Sequence, residues 1–511
     1  MLVQTKGYSL DGINGFLVEV EVFSQKGLPS LDIVGLASNT VRESKERMRS
    51  AIKNSGFDFG VHKTVINLAP ADVKKEGSTL DLPIAVGYLA SIGAIPIKNC
   101  EKYIMIGELS LDGSLRKVNG VMPLLISALQ NGFKNFIVPK KNEKEASYIK
   151  GATVYALDNL SEVVNLLIGF TYKPIESNCY IEQKQILPLI DLKDIKGQMI
   201  AKRALEIAVS GGHNLLLNGT PGTGKTMLAK AVPGIMPSMT FEEAIEVTKI
   251  HSICGLVDPQ EGIVSIRPFR TPHHTASTFS ITGGGTKATP GEVSLAHNGV
   301  LFLDEMPEYQ RKTLEALRQP LEDGIIHISR VSKTVEYPAH FMLIASMNPC
   351  PCGYYGSNGP RQCTCTSREI LNYVKKISGP LLDRIDLYVM VDNIEYSEFN
   401  SKRESEDSET VRKRVVRARN TQIKRFEGQD IYTNSQMSNA QIKRYCAIDP
   451  QCEKLLENVF VGQGLSPRAT VRIIKVARTI ADLAESENIT IDHLAEAIQY
   501  RVLDKKGMME L

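Results

Sequence analysis

The run Gly219-Thr220-Pro221-Gly222-Thr223-Gly224-Lys225-Thr226 constrains this chain more than any other stretch, because it fits the spacing G-x-x-x-x-G-K-[ST]. The apolar segment Asn214-Leu215-Leu216-Leu217-Asn218 before it predicts a strand, and Met227 to Val232 after it predicts the first turns of a helix. A strand, a glycine loop and a helix in that order form a phosphate cradle. Glycine lets backbone N–H groups curl around phosphate oxygens without a Cβ in the way, and the helix start adds a partial positive charge. Lys225 is expected to reach the β- and γ-phosphates, and the Thr226 hydroxyl to ligate Mg²⁺. ATP and Mg²⁺ are therefore the expected cofactors, held by the eight residues Gly219 to Thr226.

The rest of the chain must supply more than one core, since 511 residues imply two to four domains. A net charge of +3 means that any nucleic-acid contact must come from local basic patches. Asp11, Glu19 and Glu21 interrupt the start of the chain, so no apolar leader is visible. The longest apolar stretch, Leu82 to Ile97, is broken by Pro83, Gly87, Gly93 and Pro96 and reads as a buried core segment, not a membrane span. A cytoplasmic location is expected, with the nine cysteines reduced there.

Residues 1–170 mix strands and helices and are expected to form an α+β unit. Phe16–Val22, Val65–Leu68 and Phe136–Pro139 read as strands. Ile104–Gly113 reads as one strand entering an Asp-Gly turn, and Ser38–Asn54 as a helix with Val41, Met48 and Ile52 on one face. Lys75-Glu76-Gly77-Ser78-Thr79-Leu80-Asp81 and Gly107-Glu108-Leu109-Ser110-Leu111-Asp112-Gly113 make this unit resemble the proteolytic domain of Lon-type proteases. In that comparison Thr79 occupies the position of the serine nucleophile and Met122, after Asn119-Gly120-Val121, that of the lysine base. A hydroxyl nucleophile needs a base within hydrogen-bond reach, and a thioether cannot serve. The unit is expected to be a scaffold without peptidase activity. Pro174, Pro188 and the polar residues of 171–190 read as a linker.

An ATPase core over 191–395 follows. Asp194-Ile195-Lys196-Gly197-Gln198 precedes a predicted helix from Met199 to Val209, and in ATPases of this kind that loop packs on adenine, which selects Ile195. Gly299-Val300-Leu301-Phe302-Leu303-Asp304-Glu305 is an apolar run suited to a strand buried on both faces and ending in two carboxylates. Asp304 is expected to hold Mg²⁺ and Glu305 to activate the attacking water. Met342 to Met347 predicts another buried strand, leading to Asn348 as a polar sensor of that water. Arg384, in Gly379-Pro380-Leu381-Leu382-Asp383-Arg384, is a candidate arginine finger acting on a neighbouring subunit, and Arg468 a candidate second sensor.

Taken with Pro268-Phe269-Arg270-Thr271-Pro272-His273-His274-Thr275, Pro290-Gly291-Glu292-Val293-Ser294-Leu295-Ala296-His297 and Asn348-Pro349-Cys350-Pro351-Cys352-Gly353, the whole chain resembles the magnesium-chelatase-like AAA+ ATPases of the competence-helicase (YifB/ComM) type. That resemblance implies a P-loop core with a parallel sheet and a helical lid over 396–511. It also implies a homo-oligomeric ring, six-membered in this family, that uses ATP to migrate branched DNA during recombination. A chelatase-like or chaperone-like ATPase remodelling a protein partner is the alternative.

Residues 323–337 alternate apolar and polar around Val331-Ser332-Lys333 and predict a β-hairpin with a basic tip. Arg330 and Lys333 at that tip, with Lys287 in the glycine loop Ile281–Lys287, are the expected sequence-independent DNA contacts. The basic run Val411–Phe426 reads either as a solvated helix face or as a further contact with DNA or a subunit. Cys350, Cys352, Cys363 and Cys365 put four thiols within sixteen residues; a tetrahedral structural zinc site and four free thiols both fit. The adjacent His273 and His274 are expected to diverge and not to act as paired ligands.

Overall fold

The computed structural model describes residues 1–36, 38–75, 77–178, 180–181, 190–285, 288–329, 334–357, 361–394, 405–429 and 431–501. Its front part is a mixed seven-stranded sheet. The strands are β1 (Leu2–Asp11), β2 (Asn14–Lys26), β3 (Ser30–Val34), β4 (His62–Ala69), β5 (Ile104–Met105), β8 (Asn135–Pro139) and β9 (Thr153–Leu157), in the order β3-β4-β2-β1-β5-β8-β9. A small ladder of β6 (Glu108–Leu109) and β7 (Leu115–Arg116) stands apart from it. The single strand expected over Ile104–Gly113 is therefore two. The chain leaves the main sheet at Gly107, whose N–H and carbonyl bond to Thr79 and Leu82 at the start of a helix instead of to a neighbouring strand. That helix, Asp81–Ser91, is buried at every residue, which is why its sequence reads as an unbroken apolar run. The helix Asn39–Asn54 starts at its Ser38 cap and buries Val41, Met48 and Ile52 as expected.

The second sheet is wholly parallel. It holds β11 (Phe269–Arg270), β14 (Val300–Leu303), β17 (Met342–Met347), β10 (Leu215–Asn218) and β18 (Leu387–Met390), in the order β11-β14-β17-β10-β18. All residues of β10, β14 and β17 are buried, so these strands carry apolar side chains toward both faces. Two hairpins stand off this core. In one, β12 (Gly283–Gly284) pairs with β13 (Thr289–Pro290), so the glycine loop is held by ladder bonds at its base. In the other, β15 (Ile325–Ser329) pairs with β16 (Thr334–Pro338), as the alternation in the sequence predicts. Lys287, Arg330 and Lys333, the expected DNA contacts, lie outside the described residues.

Helices Ser408–Arg425, Asn439–Tyr445, Pro450–Gln463, Pro467–Leu483 and Ile491–Gln499 form the C-terminal part. Leu494, Ala497 and Ile498 of the last are buried. The basic helix Ser408–Arg425 divides its charges: Lys413, Arg417 and Lys424 are exposed, and four arginines are engaged. Arg412 donates to Ser238, Arg414 pairs with Glu206 and Glu406, Arg419 donates to the Val209 carbonyl, and Arg425 pairs with Asp482. These bonds tie the C-terminal helices to the parallel-sheet core and to each other. No described helix is long and apolar enough to cross a membrane.

The front part is docked on the core. Within the expected linker, Ile175 N–H bonds the Val154 carbonyl of the front sheet at 2.8 Å, and Ile190 packs on the core around the parallel sheet. Gly120 N–H bonds both the carbonyl and the hydroxyl of Ser252 at 3.0 Å. Lys117 Nζ donates to the Val257 carbonyl at 2.9 Å.

Candidate nucleotide site

The strand β10 delivers the chain to Gly219 at the carboxyl edge of the parallel sheet. A Cβ at Gly219 would sit 2.3 Å from the Val391 carbonyl oxygen, so only glycine passes there. Gly222 (φ +85°) and Gly224 (φ +91°) take left-handed backbone, and the helix Lys225–Ile235 begins directly after. Lys225 Nζ donates to the carbonyls of Gly219 (2.6 Å) and Thr220 (2.9 Å) and to Asn348 Oδ1 (3.2 Å). Burial pulls its pKa down, and the nearby Asp304 and Glu305 carboxylates oppose that. A buried ammonium between its own loop and two carboxylates is placed for an incoming polyanion.

The metal-ligand candidates meet as the sequence suggests. Thr226 Oγ1 donates to Asp304 Oδ2 at 3.0 Å. A hydroxyl and a carboxylate side by side at the end of a phosphate cradle are the hard oxygen donors that Mg²⁺ takes. Ser346, which stands in no motif, anchors the pair. Its hydroxyl donates to Asp304 Oδ1 at 2.5 Å and accepts from Glu305 N–H at 3.0 Å. Its only signal in the sequence is a small polar residue inside an otherwise apolar buried strand. Glu305 has φ +51° and ψ +51°, a left-handed backbone rare for a non-glycine residue, and its side chain is exposed toward the cradle side.

Ile195 is buried in the core with its carbonyl accepting from Lys202, and the loop that carries it touches the phosphate loop through Gln198 Nε2 and the Thr223 carbonyl (3.4 Å). His273 and His274 do not diverge. Their ring centroids lie 4.1 Å apart, because the segment after β11 is irregular and can fold one ring over the other. Tyr309, four residues beyond Glu305, bonds the Pro272 carbonyl at 2.6 Å and so fastens this histidine segment beside the site. Arg270 and Glu292 make a bidentate pair (2.6 and 2.8 Å) that joins two more of the motifs noted in the sequence.

The two arginines are elsewhere. Asn214, at the amino end of β10, bonds the Arg384 carbonyl at 2.8 Å, so Arg384 lies at the edge of the sheet opposite to the phosphate loop. Arg384 is only 7% exposed, with its guanidinium bonded to Glu322 and the Pro380 carbonyl. Burial and the neighbouring Arg318, Arg468 and Arg472 lower its pKa. Arg468 lines the same cavity of about 720 Å³, together with Arg472, Lys475 and Arg419. Arg468, the expected second sensor, stands at the start of helix Pro467–Leu483, which packs at the amino end of the sheet. Beneath, burial would raise Asp386, but Arg472, His213 and the Asn214 N–H hold it well below the usual carboxylate range.

The four thiols converge, with all ligand atoms of Cys350, Cys352, Cys363 and Cys365 within 4.8 Å of one another. In the front part, Ser78 Oγ donates to Glu108 and Thr79 Oγ1 to the Tyr8 carbonyl at 3.4 Å. Met122 is completely buried.

A parallel sheet with this glycine loop, a hydroxyl on an aspartate and an adjoining glutamate defines the P-loop ATPase class. Comparison with known proteins agrees. The family of magnesium chelatase subunit ChlI matches residues 191–399, its ChlI domain 18–142 and its C-terminal domain 405–501. YifB of Escherichia coli is 43% identical over 498 residues, covering 97% of this chain and 96% of that protein. Competence protein ComM of Haemophilus influenzae is 42% identical over 498 residues, with 96% of each covered. A Lon protease of Azospirillum brasilense is 22% identical over 184 residues, 34% of this chain and 22% of that protein. The chain belongs to the magnesium-chelatase-like AAA+ family of YifB and ComM.

Proposed function

We propose that this protein is an ATP-hydrolysing ring motor that acts on DNA, with branch migration during recombination or uptake of DNA as its task. The observation that carries the ATPase reading is the continuous set Lys225–Asn348 and Thr226–Asp304–Ser346–Glu305 at one strand edge. When bound there, Mg²⁺ would neutralise phosphate charge. The protein's own groups do the rest: the loop N–H groups and Lys225 hold the phosphates, Asp304 and Thr226 hold the ion, and Glu305 takes a proton from water oriented by Asn348.

The ring reading rests on Arg384 and Arg468. Both lie at the sheet edge opposite to the phosphate loop, so in one subunit they cannot reach its own γ-phosphate. A neighbour must bring its loop to them, and a closed ring, six subunits in the reading favoured here, gives every subunit such a neighbour. In that contact Arg384 leaves Glu322 for the incoming phosphate.

The DNA reading draws on the likeness to the competence protein and on the hairpin β15–β16 that frames the basic residues 330–333. Replacing Arg330, Lys333 and Lys287 with alanine should leave basal ATPase and oligomer formation intact, weaken DNA binding and flatten its salt dependence. The domain reading is a Lon-like scaffold over 1–170, an ATPase core over 191–395 and a helical lid over 396–511, with zinc on the four cysteines as a structural ion.

The chelatase family match favours a second reading, an ATPase that remodels a protein partner. ATPase rates without DNA and with single strands, duplex and a four-way junction separate the two. Stimulation by the junction supports the motor. Rates indifferent to every DNA, with DNA binding absent, overturn it.

A further inference from the structure

The thiol cluster lies against the nucleotide site, and the chemistry above does not use it. Cys350 Sγ is 3.3 Å from Cys352 Sγ and 3.6 Å from Cys363 Sγ, and Cys352 and Cys363 are 3.6 Å apart. A disulfide needs about 2.05 Å, whereas a tetrahedron with metal–sulfur arms of about 2.3 Å has edges of about 3.8 Å. The spacing is that of sulfurs around a metal. Tyr355 N–H points at Cys350 Sγ (3.3 Å) and Cys365 N–H at Cys363 Sγ (3.4 Å), the bonds that steady thiolates. Between the first two ligands and Tyr355 the chain turns at Gly353 (φ +88°), whose N–H bonds the Cys350 carbonyl at 3.0 Å.

That turn forms one wall of the phosphate loop. A Cβ at Gly353 would lie 2.7 Å from both Cγ and Cδ of Pro221 and 4.0 Å from Cγ of Asn348. Asn348 itself stands two residues before Cys350 and accepts from Lys225. On the far side, Cys365 leads through the Thr366 cap into helix Ser367–Val374, which packs on the core through Ile370, Tyr373 and Val374. An ion on the four sulfurs would therefore cross-link the residues that follow the sensor strand to the base of a packed helix. Without it, the same sulfurs offer only weak contacts and mutual repulsion when ionised.

We propose that zinc bound by Cys350, Cys352, Cys363 and Cys365 fixes Asn348 and Pro221 in place, so that metal occupancy sets the rate of ATP turnover in the same subunit. The inference rests on the nucleotide and zinc readings above, and its test separates them. The full-length protein, purified without chelator, should contain one zinc per chain by elemental analysis. Cobalt exchanged into it should show thiolate-to-cobalt charge-transfer absorption. Cys363→Ser should lose the metal and slow turnover by about tenfold or more, with affinity for a fluorescent ATP analogue changed by less than about threefold. Cys363→His should recover zinc and turnover together. Gly353→Ala, which leaves every thiol in place, should keep its zinc and still turn over more slowly. No zinc and no cobalt spectrum, in a protein that hydrolyses ATP and loses that activity in Glu305→Gln, would overturn the metal site and leave the nucleotide site standing. Zinc present, with Cys363→Ser and Gly353→Ala both turning over like the parent, would overturn the coupling.

Discussion

Two turns in this chain place hydroxyl groups at the start of a helix, and their surroundings differ. At Thr226 the hydroxyl faces a carboxylate, which faces a second hydroxyl, which steadies the backbone of Glu305. At Ser78 and Thr79 the hydroxyls face Glu108 and a backbone carbonyl. A third helix start, at Gly120, is not idle. Met122 N–H donates to Glu145 at 2.9 Å, Ser252 of the core donates to the same carboxylate, and Gly120 bonds Ser252 twice. Helix Val121–Gln130 thus seats helix Phe241–Ile253. A helix start can hold a reacting group or a docking partner with the same backbone geometry; the side chains decide which.

The strongest way to break this comparison is at Glu305. Glu305→Gln keeps Asp304 and the loop, so ATP binding should persist while turnover falls by about 10³–10⁴-fold. A fluorescent-nucleotide titration and a single-turnover assay read both, and near-normal hydrolysis would remove the distinction between the two turns.

Next in size is Arg384→Ala, for which a loss of about 10²–10³-fold is expected, below the upper range of arginine fingers because Arg468 shares the cavity. Mixing these subunits with Glu305→Gln subunits should recover part of the activity through boundaries where both residues are intact. Confirmed mixed oligomers that recover nothing would contradict action on the neighbour's nucleotide.

On the docking side, Glu145→Ala strands the Met122 N–H, the Ser252 hydroxyl and part of the Asn142 amide, at a cost of about 2–4 kcal/mol. Burial already pushes the Glu145 carboxyl up, with Ser252, Met122 and Asn142 pulling the other way, so the site depends on those donors. Urea unfolding followed by a probe in the front part should shift to lower midpoint. An unchanged midpoint would mean that the seat is not held by this carboxylate.

The smallest effect belongs to Ser78→Ala combined with Thr79→Ala. Both residues are partly exposed, so less than about 1 kcal/mol of stability should be lost and ATP turnover should not change. Casein cleavage by the parent that this pair abolishes would show that the front turn is a working site after all.

Much of the nucleotide site can be read along the chain, because its parts are local. The loop, the apolar strand ending in Asp304-Glu305 and the strand leading to Asn348 each announce themselves by composition within ten residues. Ser346 was missed since one hydroxyl in a buried strand has no pattern of its own. Ile104–Gly113 was misjudged because a strand and a ladder joined by glycine have the same alternation as one strand. The run Ser408–Arg425 left a solvated face and a contact both open, because the partners of Arg412, Arg419 and Arg425, which are Ser238, Val209 and Asp482, lie 57 to 210 positions away.

By itself the sequence determined that a glycine loop, its closing hydroxyl and a strand ending in two carboxylates would share a parallel sheet, since period and composition fix which strands are buried on both faces and where they end. Tertiary structure alone decided which end of that sheet each charge occupies. Arg384 and Arg468 went to the amino edge, the four sulfurs converged with the neighbouring Gly353 against Pro221, and Met122 was buried in the front part. Those outcomes depend on how separately formed elements pack, and packing couples residues whose distance along the chain carries no signal.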